Sequence, residues 1–524
     1  MRFFRFSPRM ALLAAAASLT PAAFAAPSDI VPRGDVAYDF LGSLAAAGRV
    51  PRATLRDFFR GDRLYTRWEM ARFVVVVRQT SAQLTGAQES QLQALEIKFG
   101  PELKLLGAPG RETGGEGPAR HGALTGALKA RASVGPEAAD LIGRVSGTVP
   151  LGRDGFAAIS LGNYRDEWYS EAGSARGGYP LVETAVARFN TRAVDVTVGR
   201  MPMRWGPGYV GGMLFSDDAP SIPMVQIEKG FKLPGWFGRQ LGPIYYTQFA
   251  GEFFEDDVAT ADPVARGTRR YVHGRRIETA GAGKWQFAVS ESIKSTRLPD
   301  PFWAAALPSY YLYQDSWTRA PGENRGPLGF LASKTYPNSL WLNYLADVNA
   351  TYRVDGRGGF VFADLLLDDL QAPSGLGLGN RVPRKIGVQG GVNLPDVDGT
   401  GRYGVRLEAA SIDKGTFGSI SPPVAWSQNN FPLGYPTGPN ANLFFGRFDA
   451  ALSERVKGAV EGMVRRRKDD AEPGVEQDRF SLFATYDLRR DLFVGFRLVY
   501  VRTAVSGQPE TTDTRAEVNL GAGF

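Results

Sequence analysis

The chain has no cysteine among its 524 residues, which excludes a disulfide scaffold, thiol catalysis and cysteine-ligated metal. Histidine is nearly absent too. His121 and His273 are the only two, and neither lies near another potential ligand or a nucleophile motif, so zinc chemistry and a Ser-His hydrolase are not expected. Paired acids such as Asp256-Asp257 and Asp368-Asp369 are adjacent and would point to opposite faces of a strand, which argues against two carboxylates flanking one bond. No phosphate-binding Gly-Lys motif occurs. The expectation is a non-enzyme without cofactor or metal. Beyond residue 25, no segment offers the ~20 uninterrupted apolar residues of a spanning helix. That leaves a soluble protein or a β-barrel.

What is present favours the barrel. Met1 to Ala25 carries Arg2, Arg5 and Arg9, an apolar run from Met10 to Leu19, and Ala23-Phe24-Ala25 as an A-x-A cleavage site. This reads as a secretory signal peptide, with the mature chain beginning near Ala26. Removing those three arginines from the formal +7 leaves 7 − 3 = +4, spread through the sequence, so nucleic acid is not an expected partner. At the other end Ala516, Val518, Leu520, Ala522 and Phe524 alternate with Arg515, Glu517, Asn519, Gly521 and Gly523. A period of two with one apolar and one polar face suits a strand between hydrocarbon and a wet lumen. The terminal Phe resembles the C-terminal signal that the assembly machinery of bacterial outer-membrane barrels reads.

From Ala123 onward similar segments recur. Leu342, Tyr344, Ala346, Val348, Ala350 and Tyr352 oppose Asn343, Asp347, Asn349, Thr351 and Arg353, and further alternation runs through 124–134, 194–198, 386–394, 403–411, 456–464 and 480–488. Charges on the second face are what a lumen tolerates and a dry core does not. The span 123–524 would then make about 18 antiparallel strands, an even number as membrane barrels prefer. Residues 108–122, rich in Gly, Pro and charge, read as a flexible linker.

Residues 26–107 have helical spacing. Tyr38, Phe40, Leu41 and Leu44 follow Asp35 as a cap, and a second helix begins near Thr66, with Glu69 completing a capping box ahead of Met70, Phe73, Val74 and Val77. The stretch Phe59-Arg60-Gly61-Asp62-Arg63-Leu64-Tyr65-Thr66-Arg67-Trp68-Glu69-Met70-Ala71 resembles one surface-layer homology (SLH) repeat with its T-R-x-E signature. The resemblance implies a periplasmic module that grips peptidoglycan or a secondary wall polymer, with Arg67 as the wall-glycan contact; a helix-cap or salt-bridge role for Arg67 is the alternative. A single repeat binds weakly unless several chains act together. Leu92, Leu95, Phe99, Leu103 and Leu106 then form a coiled-coil-like stripe interrupted by Pro101. It either spaces the module or joins chains as a homo-oligomer, or it is an amphipathic helix packed on its neighbours.

The stretch from Thr197 to Gly208, with Arg200, Met201, Pro202, Met203, Arg204, Trp205 and Gly206, and the following Leu214 to Pro223, resembles the most characteristic segment of the Wzi family of capsule-assembly barrels. Phe362 to Asp369 is similar to that family's acidic strand end, and Leu433 to Asn440 to its G-x-P-x-G-P loop. The resemblance implies an 18-stranded outer-membrane barrel that associates with surface polysaccharide and helps hold a capsule on the cell. Arg200, Arg204 and Trp205 place forked donors and a flat ring beside glycines, where an acidic sugar could be held. Alternatively, they fix a plug loop by pairing with Asp217, Asp218 or Glu228. A second candidate is the aromatic-rich stretch Leu298 to Asn338, with Trp303 and Tyr311, as a stacking platform, an interfacial girdle or loop packing. The resulting expectation is mainly β: a helical SLH-like module at 26–107, a linker at 108–122, and an outer-membrane barrel at 123–524. Its partners would be surface polysaccharide, wall polymer, outer-membrane lipid and the barrel-assembly machinery. The rival is a general porin with the same tether and an open, arginine-lined lumen.

Overall fold

The computed structural model describes residues 37, 40–42, 44, 65, 67–80, 84–106, 124–134, 140–150, 155–162, 182–191, 193–216, 219, 221–254, 269–279, 284–295, 342–354, 359–368, 385–418, 425–428, 431–453, 455–467, 474–489 and 492–523. The signal peptide, Thr66, the linker 108–122, the aromatics Trp303 and Tyr311, and Phe524 lie outside the described residues.

The N-terminal region is helical where it is described. Ala37, Phe40, Leu41 and Leu44 are helical and buried, and α1 (Arg67–Thr80), α2 (Gly86–Lys98) and α3 (Gly100–Leu105) follow. Glu69 stands in the first turn of α1, where it favours the positive end of the helix dipole. The leucine stripe divides between α2 and α3, because Gly100-Pro101 interrupts the helix and places Pro in the first turn of the next one. Leu92, Leu95, Phe99 and Leu103 bury against Met70, Val74 and Val77 of α1. The stripe therefore packs on its own module.

Among the described residues twenty strands follow. They begin with β1 (Leu124–Val134), β2 (Asp140–Pro150), β3 (Gly155–Gly162), β4 (Val182–Asn190), β5 (Asp195–Met201) and β6 (Ile222–Lys232). After the short helix α4 (Gly235–Leu241) come β7 (Pro243–Phe254), β8 (Arg269–Thr279), β9 (Trp285–Ser295), β10 (Leu342–Arg353), β11 (Phe360–Asp368), β12 (Lys385–Leu394) and β13 (Tyr403–Ile412). The two-residue β14 (Ser427–Gln428) and β15 (Phe431–Pro432) pair only with each other. The rest are β16 (Ala441–Ala451), β17 (Val456–Arg467), β18 (Val475–Arg489), β19 (Leu492–Val505) and β20 (Thr511–Gly523). All but β14 and β15 join one antiparallel sheet of 18 strands in chain order, β13 pairing with β16, and β20 returns to pair with β1. Closure removes both edges, so no strand is left to template aggregation.

Towards the rim where β9 begins and β10 ends, the wall is apolar outside and polar inside. On β9, Trp285, Phe287 and Val289 face out and are about half exposed, while Ser290, Ser292 and Lys294 face in and are buried. On β10 Val348 faces out, and Asp347, Asn349 and Thr351 are buried inward. That inversion relative to a soluble protein is the pattern of a wall standing in hydrocarbon. The rim where β1 begins and β20 ends, here the near rim, carries short connections, none longer than 233–242. The far rim carries long ones such as 202–221, 296–341 and 413–440. Aromatic rings cluster at the near rim. Trp285 stacks on Phe287 at 5.7 Å and meets Tyr352 at 4.8 Å, with the Lys284 Nζ 5.8 Å from the Tyr352 ring, as in an interfacial girdle. At the same rim Lys457 Nζ lies 3.7 Å from the Phe40 ring centroid, a cation–π contact joining the helical module to β17.

Candidate functional site

Two far-rim connections, 202–221 and 413–440, turn back into the barrel and build its interior. Trp205, Met213, Leu214, Phe215, Trp426, Leu433 and Tyr435 from the connections join Phe249, Leu345, Leu366 and Phe445 from the wall in one buried apolar cluster. The first connection folds on itself through a bridge in which Trp205 N–H donates to the Phe215 carbonyl at 3.1 Å. It locks onto the second where Ser216 N–H donates to Leu433 O at 2.8 Å and Trp426 Nε1–H donates to Leu214 O at 2.8 Å. The contact is tight. A side chain at Gly211 would fall 2.6 Å from Pro436, and one at Gly434 would fall 2.5 Å from the Met213 carbonyl. Glycine is required there for backbone approach.

Polar side chains of the wall hold this pair. Glu408 on β13 is the junction: it accepts from the backbone N–H of Tyr209 at 2.6 Å and of Val210 at 3.3 Å, from Gln389 Nε2–H at 2.7 Å and from the Tyr435 hydroxyl at 2.8 Å. One carboxylate thus grips both connections. The first connection leaves the wall after β5 and is held by β13, 13 − 5 = 8 positions round a ring of 18 strands, so it crosses the lumen nearly to the opposite side. Lys294 of β9 donates to the carbonyls of Ala425 at 2.8 Å and Ser427 at 2.6 Å, Asp368 of β11 accepts from Phe417 N–H at 2.7 Å, and Arg465 of β17 donates to Thr437 O at 3.0 Å. Charge-assisted bonds of this kind are the stronger class. Tyr209 extends the crossing towards β16 and β17. Its ring stacks on Phe445 at 5.2 Å with the Arg406 guanidinium 4.8 Å from its centroid, and its hydroxyl accepts from Arg447 at 2.8 Å and donates to Glu461 at 3.3 Å.

The structure separates the residues that the sequence puts together. Trp205 is fully buried, with the Phe215 and Phe249 rings at 5.1 and 5.4 Å and Gly274 leaving room for its edge. Its ring is enclosed in the interior cluster between the first connection and the wall. Arg204, half-buried, brings its charge to the Glu408 carboxylate. Arg200 sits in register between Ala185 and Pro223, on the strand face that carries Val196 and Val198, at the far end of β5. Arg67 begins α1, and its side chain lies outside the described residues. The family-like acidic strand end supplies Asp364 beneath Gly206 and Asp368 under Phe417, and the Leu433 to Asn440 loop supplies Tyr435. Sequence reading missed Glu408, Gln389, Lys294 and Tyr209. Glu408 alternates inward between the outward Leu407 and Ala409, a signal for a lumen carboxylate but not for its partners Tyr209 and Val210, 199 and 198 positions away. Among the described residues no group of three or more His, Asp and Glu gathers as for a metal, and no helix is long and apolar enough to cross a membrane.

Residues 62–293 match the family model described as capsule assembly protein Wzi. No curated protein matches the sequence. Among solved structures, Wzi of Escherichia coli superposes with a TM-score of 0.60 at 12% identity over 95% of this chain and 100% of that one. That protein is described as an outer-membrane protein involved in group 1 capsule assembly and a carbohydrate-binding β-barrel. The outer-membrane protein OpdK of Pseudomonas aeruginosa follows with a TM-score of 0.43 at 10% identity, over 77% of this chain and 98% of that one. At these identities the likeness is one of fold.

Proposed function

We propose that this chain is a Wzi-type barrel of 18 strands in the outer membrane, with the far rim facing outward and holding exported polysaccharide, and with the helical module in the periplasm. The observation that carries this reading over the porin is the plug. Two connections interlock across the lumen on buried Glu408, Lys294, Asp368 and Arg465, an arrangement suited to presenting a fixed outer face and ill suited to passing solutes. In this reading Arg200, Arg204, Trp303 and Tyr311 meet the glycan, and Trp205 supports the plug. Forked guanidinium donors suit acidic sugars, and aromatic rings suit their apolar faces. The SLH-like segment adds a wall grip through Arg67, whose fork can pair with carboxylate or ketal oxygens.

Two measurements on the purified chain test the reading together. In planar bilayers it should be electrically silent, and on immobilised acidic polysaccharide it should be retained. Steady large conductance without retention would establish the porin instead. The full chain in detergent should also co-sediment with cell-wall sacculi, and Arg67→Ala should reduce that sedimentation while leaving helix melting unchanged. Equal sedimentation of both proteins removes Arg67 from wall binding.

A further inference from the structure

The near rim carries a feature that the plug and the helical module leave unused. Between β6 and β7 the chain forms α4, and no residue of this helix is buried. Its Trp236 and Phe237 are each 60% exposed and meet edge to face at 5.1 Å. Two large aromatic rings held in water by a helix that contributes nothing to a core have no folding rationale.

The position of α4 identifies what covers them. It follows directly on the outward column of β6, Val225, Ile227, Lys229 and Phe231, all exposed on the lipid side of the wall. Lys232 and Arg239 flank the aromatic pair and are exposed. The Trp285, Phe287 and Tyr352 girdle stands at the same rim. Apolar surface continuous with a hydrocarbon-facing wall, aromatic rings at its edge and cations beside them match the boundary between acyl chains and phosphate headgroups.

We propose that α4 is a membrane-interface foot, inserting Trp236 and Phe237 into the phospholipid leaflet at the near rim while Lys232 and Arg239 bind lipid phosphates. This rests on the reading of the barrel as membrane-spanning. The foot would fix the height and tilt of the barrel at β6 and β7, and β6 receives the end of the crossing connection 202–221.

The absence of native cysteine makes the test direct. A nitrobenzoxadiazole label is placed at Gln240→Cys, one helical turn from both rings, in the full chain reconstituted into phosphatidylethanolamine vesicles containing phosphatidylglycerol. Companion labels at Val289→Cys, on the lipid-facing wall, and at Ser453→Cys, in an exposed near-rim turn, serve as references. Quenching by a nitroxide carried on lipid chains near the headgroup is compared with quenching by aqueous iodide. The label at 240 should respond to the lipid nitroxide, as the label at 289 does, and the label at 453 should respond to iodide. In a Trp236→Ser, Phe237→Ser background the label at 240 should switch to iodide while the protein stays heat-modifiable on gels. Replacing Lys232 or Arg239 by Gln should each reduce the preference for phosphatidylglycerol roughly fivefold, the equivalent of about 1 kcal/mol per basic residue at a membrane surface. Iodide quenching at 240 in the unsubstituted chain, with lipid quenching intact at 289, overturns the foot and points to a protein partner for the aromatic pair. Iodide quenching at 289 overturns the membrane reading itself.

Discussion

The helical module and the plug each bury a comparable set of apolar side chains, but they are assembled in different ways. In the module, Met70, Val74, Val77, Leu92, Leu95, Phe99 and Leu103 come from consecutive helices, and its capping and ion-pair contacts are short in sequence, such as Arg78 to Glu89 at 2.9 Å and to Glu96 at 2.7 Å. In the plug, Leu214 meets Trp426 and Tyr209 meets Glu408 across 212 and 199 positions. The module needs only helix propensity and a stripe. The plug needs the wall first, because its anchors stand on β9, β11, β13 and β17 and come together only when the sheet closes. A core with that loop-closure demand should form late and open locally before the wall unravels.

The largest break in this comparison should come from Glu408→Ala. Four donors lose one buried acceptor, each at a cost of about 1–3 kcal/mol, so the plug should weaken by on the order of 5 kcal/mol. The expected result is a rise from silence to frequent openings in planar bilayers, with heat-modifiability and module helicity retained. A variant that stays silent would mean that the apolar interlock alone closes the lumen. Trp205→Ala comes next. Loss of a fully buried indole typically costs about 3–5 kcal/mol, and the expected signature is raised conductance with glycan retention unchanged. Retention that falls while conductance stays silent would return Trp205 to direct recognition. Because both residues hold the same connection, the double variant should do less than the sum of the two.

The same contrast explains what could be read in advance. The strands were legible because the wall has one wet and one lipid face: Leu342 to Arg353 and the last strand show the period of two, and the observed inward positions of Asp347, Asn349 and Thr351 follow it. The stripe from Leu92 to Leu103 was legible for the same kind of reason at a period of 3.6. Gly206 beside Trp205 marked close backbone approach, but not what approaches. Burial of Trp205 was invisible because it depends on Phe249 and Gly274, which belong to other strands. Gly and Trp in one loop fit a sugar platform and a plug equally well, and the loop's own sequence does not show the wall that faces it. Outward Tyr344, placed by alternation on the lipid side, is buried and donates to Glu291 at 3.1 Å. Periodicity gives the direction of a side chain and does not give what covers it.

Leu95→Ala sharpens the comparison from the module side. The residue is buried between α1 and α2, and truncating it should cost about 3 kcal/mol. Melting followed by helix ellipticity should show an early transition lowered in temperature, with conductance still silent and the barrel transition unmoved. A simultaneous rise in conductance would mean that the module supports the lumen closure through the near-rim contact of Phe40 with Lys457.

The smallest effect belongs to the capping box that opens α2. Thr85 Oγ1 accepts from the Gln88 N–H at 3.2 Å, and Gln88 Oε1 accepts from the Thr85 N–H at 3.1 Å, so two of the donors orphaned at a helix start are satisfied reciprocally. Thr85→Ala removes one of these acceptors and should cost about 1 kcal/mol, whereas Thr85→Ser, which keeps the hydroxyl, should cost only a fraction of that. The measurement is the midpoint of the early helical transition in the full chain. Because this cap is local, its loss should leave conductance, glycan retention and the barrel transition unchanged. If Thr85→Ala instead lowers the midpoint as far as Leu95→Ala does, the module is held by its helix ends and not by its apolar stripe, and the contrast drawn between the two cores fails on the side where the sequence made it clearest.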